Sequence, residues 1–246
     1  MLNFIISAIK IIFLLGFLIF IHEGGHFLIA KLCKVKVNEF AIGFGPTIFK
    51  RKYQETQYAV RLIPLGGFVS MEGEMEDSAA ENAFNNASIS RRIAIVAAGA
   101  LVNIVFGIIV FMIIFSIKYE NILDGLKVTS DFLQSILEGL KLTFTGNISI
   151  KDLTGPVGIS SVVSQTSGIA QYFYIMSVVS VSLGVTNLLP IPALDGGKIL
   201  LLIIELIRKK PLRQELEVKI QLLGFSFLIA LSIFVTYNDV LRAIGK

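Results

Sequence analysis

Four apolar runs, at about 4–30, 93–117, 169–189 and 220–237, constrain this chain more than any other feature. A bilayer core of about 30 Å asks for roughly 20 consecutive apolar residues of a helix that crosses it. Within that core each backbone N–H and C=O must be satisfied inside the segment. The chain is therefore predicted to be a multi-pass membrane protein with an all-α core of about four transmembrane helices. Composition agrees: 54% of residues are hydrophobic and 16% are charged, against about 25% charged in soluble domains.

Lysine and arginine set the predicted orientation. Lys31, Lys34, Lys36, Lys50, Arg51, Lys52, Arg61, Arg91 and Arg92 fall between the first two runs, and Arg208, Lys209, Lys210, Arg213 and Lys219 follow the third. Both segments belong on the cytoplasmic side by the positive-inside rule, with both termini and the segment 118–168 outside. This distribution accounts for the net charge of +4 and calls for no nucleic acid. The first run lacks a basic start and a small-residue cleavage site, so it reads as retained rather than as a signal peptide. Cys33 has no second cysteine to pair with, and it falls on the predicted reducing side.

Polar groups interrupt the first run at "IHEGGHF". Four residues apart on a helix, His22 and His26 share a face and can offer two imidazole nitrogens to one ion, with Glu23 beside them. This H-E-x-x-H spacing suits zinc, which acidifies water while the neighbouring carboxylate accepts a proton. The competing reading is a satisfied polar cluster without metal. Ionisable groups in a span cost about 2.5 kcal/mol or more, so they are expected to face a cavity or partners rather than lipid. Counted from Lys31 at about 1.5 Å per residue, the pair lies roughly 7 to 14 Å inside the cytoplasmic end of the helix. Gly24 and Gly25 weaken that helix, either to admit a neighbouring helix or to leave room for metal and substrate.

Two histidines leave a catalytic zinc one protein ligand short. With no third histidine in the chain, the remaining ligand is expected to be an acid. Asp195 lies in "NLLPIPALDGG", where Pro190 and Pro192 break the helix, and broken backbone at membrane depth is tolerated when it is buried or lines a wet cavity. The alternative role for Asp195 is a helix cap. Asn187 has two open readings: a hydrogen bond to backbone freed by the prolines, or a hold on substrate or an oxyanion.

Elsewhere, Tyr53 to Thr56 has turn character between alternating segments, which predicts a small membrane-associated β-hairpin or sheet within a cytoplasmic stretch 35–70. Its edge offers a place for an extended peptide, the alternative being a purely structural hairpin. The acidic stretch from Met71 to Ser88 reads as a polar loop without chemistry. Apolar spacing from Ile122 to Leu142 predicts an amphipathic helix on the outer surface. Asn103, alone in the second run, suggests a hydrogen bond between spans.

Together, His22-Glu23-Gly24-Gly25-His26 and Asn187 to Gly197 resemble the site-two protease family of intramembrane zinc metalloproteases, most of all its bacterial RseP-type sigma-E-regulator branch. The resemblance extends to Gly43–Pro46 ("GFGP"), Tyr58–Glu74 and Lys151–Ile159, and so covers nearly the whole chain. It implies Zn2+ held by His22, His26 and Asp195, with Glu23 as general base. It also implies cleavage of single-span membrane proteins within the bilayer of a bacterial inner membrane. Asn187, Pro190, Pro192, Gly43 and Gly45 become candidate substrate-binding residues. Relatives of this branch commonly carry PDZ domains between the second and third spans, for which 118–168 is too short, so no PDZ-mediated partner is expected. Two readings from other classes stand beside this one, a divalent-metal transporter and a non-catalytic membrane scaffold.

Overall fold

The computed structural model describes residues 2–145 and 155–244. The start of the Lys151–Ile159 motif lies outside the described residues. In chain order the elements are α1 (Leu2–Leu32), β1 (Val37–Tyr53), β2 (Thr56–Met71), α2 (Ile89–Lys118), α3 (Ile122–Phe144), α4 (Pro156–Ser164), α5 (Ile169–Asn187), α6 (Asp195–Arg208) and α7 (Gln214–Ala243). Among the described residues, four stretches are long and apolar enough to cross a membrane: Ile5–Leu32, Ile89–Lys118, Ile169–Asn187 and Glu215–Arg242. The last is longer than the run at 220–237 suggested, because the helix continues through the polar residues at both ends.

The chain divides into two compact units. One comprises 1–11, 105–182 and 226–246, the other 12–104 and 183–225. In the first unit the amphipathic helix α3 does form. Its Phe132 ring lies 4.3 Å from that of Phe111, which also meets Tyr174 at 5.5 Å. Lys10, Tyr172 and Asp239 of this unit make long-range hydrogen bonds. Lys10 Nζ donates to Thr166 O at 2.9 Å, and Tyr172 donates its hydroxyl proton to Lys10 O at 2.8 Å. Buried Asp239 accepts the Gly158 N–H at 2.8 Å near the start of α4.

The second unit holds the sheet and both histidines. β1 and β2 pair antiparallel around a two-residue turn, Gln54–Glu55, in which Gln54 takes φ +53°. Both strands are long enough to bend, so Glu39 to Ile42 has neighbours on two sides, Gly67 to Ser70 on one and Gln57 to Val60 on the other. The bend passes through Gly43 and Gly45, at φ +86° and +83°. A buried cluster of Ala30, Val35, Val37, Met71, Phe84, Ile95, Val96 and Leu202 ties α1, the sheet, α2 and α6 together.

The stretch after β2 is more ordered than its composition suggested. Phe84 is buried in a 3-10 turn, and the Glu72 carboxylate accepts Ser78 Oγ at 2.8 Å and Asn38 Nδ2 at 3.1 Å. These bonds, with Lys36 nearby, hold the Glu72 carboxyl below its usual range. An Arg92–Glu205 ion pair joins the start of α2 to α6.

Candidate metal centre

The helical spacing of α1 puts His22 and His26 on one face, with their Nε2 atoms 3.2 Å apart. The backbone break after α5 delivers Asp195 to the same place, its Oδ2 3.2 Å from His22 Nε2 and 3.5 Å from His26 Nε2. All three donor atoms lie within 4.8 Å of one another. Side-chain exposures of 11, 12 and 20% for His22, His26 and Asp195 mean that water solvates them poorly.

Hydrogen bonding fixes what these atoms present. His26 Nδ1 lies 2.8 Å from Ile95 O. A carbonyl only accepts, so Nδ1 carries the proton and Nε2 of the neutral ring is a bare lone pair. That lone pair faces a carboxylate oxygen, Asp195 Oδ2, which is itself buried without a hydrogen-bond donor. Electron pairs converging in a poorly solvated site are costly unless a cation lies between them. Two imidazoles and a carboxylate make a zinc donor set with an open position. The residues therefore fit the metal.

Asp195 does not cap α6. Leu194 occupies the N-cap, and Asp195 is the first helical residue. The break that aims it is pinned from α7: Ala193, at φ +73°, donates its N–H to Gln221 Oε1 at 2.6 Å. Glu23 lines the same cavity of about 300 Å³ as the three donors, together with Phe68, Val69, Glu74, Asn187 and Lys198. The Val69 N–H hydrogen-bonds to the Glu23 carboxylate. Asn187 thus reaches the cavity, whereas Pro190, Pro192, Gly43 and Gly45 are not among its lining residues. The prolines lie at the break and the glycines at the bend of β1, where Gly43 and Gly45 take positive φ.

Asn103 makes the hydrogen bond between spans that its isolation in the second run suggested: fully buried, its side-chain amide lies 3.4 Å from His22 Nδ1, a placement that orients the ring. Other participants carried no local signal. Glu74, in the stretch read as having no chemistry, accepts Lys198 Nζ at 2.7 Å. Gly25 and Gly99 are required by close approach. A Cβ on Gly25 would lie 2.6 Å from Ala98 O, so Gly25 serves packing against α2, while Gly24 has open space around it. A Cβ on Gly99 would lie 2.9 Å from His22 Nε2 and 2.7 Å from His26 Cε1, in collision with the donor atoms. Gly99→Ala is accordingly expected to weaken zinc binding by at least about tenfold, as loss of ligand support does in other zinc sites. Competition with a chelator in detergent checks this; parent affinity would show that the rings shift freely.

Apolar spanning helices, a buried two-histidine, one-carboxylate cluster and an adjacent glutamate define a membrane-embedded metallopeptidase. The chain belongs to peptidase family M50, whose pattern matches residues 10–231. It is 30% identical to a protein of Clostridium acetobutylicum bearing a zinc metalloprotease name, over 94% of this chain and 96% of that one. It is 24% identical to the regulator of sigma-W protease RasP of Bacillus subtilis, over 97% of this chain and 99% of the relative. The first alignment runs 325 positions against 246 residues, so at least 79 positions of the relative have no counterpart here. The protein is a zinc metalloendopeptidase of the intramembrane type, and neither transport nor scaffolding is favoured by this family.

Proposed function

We propose that His22, His26 and Asp195 hold the zinc, that Glu23 is the general base, and that the substrates are transmembrane segments of single-span membrane proteins. The observation that carries this reading is the convergence of three donors within 4.8 Å, in one cavity with Glu23, with both histidines and Glu23 on a helix apolar enough to span a membrane. Zinc, when bound, supplies a Lewis acid that polarises the scissile carbonyl and acidifies water at the site. Glu23 accepts the proton of the attacking water and returns it to the leaving amine. The Val69 N–H aims its carboxylate. Ile95 O holds the His26 imidazole through Nδ1 and leaves its Nε2 for the metal, and the Asn103 amide beside Nδ1 of His22 orients that ring.

A helical substrate conceals its peptide bonds in its own hydrogen bonds and must unwind to be cut. Gly67–Met71 of β2, which places Phe68, Val69 and Met71 on the cavity, is suited to receive the unwound segment by strand addition. The basic residues between α1 and α2 and after α6 support an orientation with this end of the cavity toward the cytoplasm and both termini outside, in a bacterial inner membrane.

The purified protein in detergent is expected to cut a single-span model substrate within its apolar segment, to lose that activity on chelation, and to regain it with zinc. Cleavage that persists after verified removal of zinc would refute the assignment.

A further inference from the structure

Beside the metal cavity lies a second one of about 360 Å³, lined by Met75, Val218, Leu222 and Phe225 and sharing Glu74, Ala193, Leu194, Asp195 and Lys198 with the first. We infer that this cavity is a specificity pocket that takes one large apolar side chain, aliphatic or aromatic, from a substrate residue flanking the scissile bond. The inference rests on the proteolytic reading above and names the substrate feature that the site selects.

Three observations carry it. The two cavities share the Ala193–Asp195 backbone, so a carbonyl presented beside Asp195 puts a neighbouring side chain at the second opening. An extended segment turns successive side chains to opposite faces, which allows one of them to enter while the next points away. The volume equals on the order of ten waters at about 30 Å³ each, enough for one bulky side chain but not for a helix. The walls are also held in place. Lys198 Nζ is fixed by Glu74 at 2.7 Å and stands 4.8 Å above the Phe84 ring. Gln221 secures Ala193 at 2.6 Å, and α7 comes close enough that a Cβ on Gly224 would lie 2.5 Å from the carbonyl carbon of Pro192. The Glu74–Lys198 pairing neutralises the shared rim, and the remaining lining is mainly apolar, with Glu217 the further acid.

The test maps the cut in a single-span substrate and places Ala, Leu, Phe or Lys in turn at the three residues on each side. The parent enzyme is expected to prefer Leu or Phe over Ala by roughly 10- to 100-fold in kcat/KM at one of these positions. Leu222→Trp and Val218→Phe fill the cavity from two places. Each is expected to lower that ratio by about tenfold or more at that position alone, while Phe225→Ala shifts it toward the larger side chain. In the Glu23→Gln enzyme, a photoreactive group at the same substrate position is expected to crosslink to the cavity wall. A ratio unchanged by both filling variants, equal loss for all substrates in both, a parent preference for Lys, or no positional preference would each overturn the pocket. A parent that cuts no substrate would overturn the proteolytic reading and this inference with it.

Discussion

Glu23→Gln is expected to retain zinc at the parent level and to lose cleavage by about 10²- to 10⁴-fold, the usual contribution of a positioned general base. The separation follows from the geometry. The three donor atoms that converge are His22 Nε2, His26 Nε2 and Asp195 Oδ2, and Glu23 is not one of them. Its carboxylate is engaged by the Val69 N–H instead. Glutamine keeps the shape of the side chain and an oxygen for that hydrogen bond, yet it cannot take a proton from water. Metal analysis and cleavage of a single-span substrate, measured on the same preparations, check the result. Loss of zinc would make Glu23 a ligand; activity near the parent value would remove it from proton transfer.

How much of this could be read from sequence depended on how local the cause was. The 3.6-residue helical period suffices to put His22 and His26 on one face. Prolines at 190 and 192 break a helix wherever it lies, and the break aims Asp195 at the cavity. Turn residues between alternating segments announced the hairpin, and apolar spacing announced α3. The contributions of Gly99, Gln221 and the Glu74–Lys198 pair were not legible, and Asn103 was legible as a hydrogen bond between spans but not as the partner of His22. Asn103 and His22 are 81 positions apart, and Lys198 and Glu74 are 124 apart. No periodicity links them, and only the packing of α1, α2, the sheet and α6 brings them together. The stretch after β2 misled for a related reason: its acids look solvated until Ser78, Asn38, Lys36 and Lys198 are seen to hold them. The same dependence on distant packing separates the residues that bend the backbone, Pro190, Pro192, Gly43 and Gly45, from Asn187, whose position at the end of α5 reaches the cavity.

Asp195→Ala is expected to lose zinc, with affinity falling by more than about a hundredfold, beyond the 10- to 100-fold typical of disturbing the groups behind a ligand. Two imidazoles alone make an incomplete site, and the buried Asp195 oxygen facing them is placed to be the third donor. The substitution should leave the fold intact, which makes the result readable. Leu194 is the N-cap of α6, so removing the Asp195 side chain forfeits no capping bond. It forfeits chiefly a favourable charge in the first turn, worth about 0.3–1 kcal/mol. Circular dichroism and gel filtration in detergent should therefore match the parent while chelator competition shows the metal lost. Retention of zinc at parent affinity would mean that another acid of the cavity, Glu23 or Glu74, completes the site. The backbone break at Pro190 and Pro192 would then need a different explanation from the delivery of a ligand.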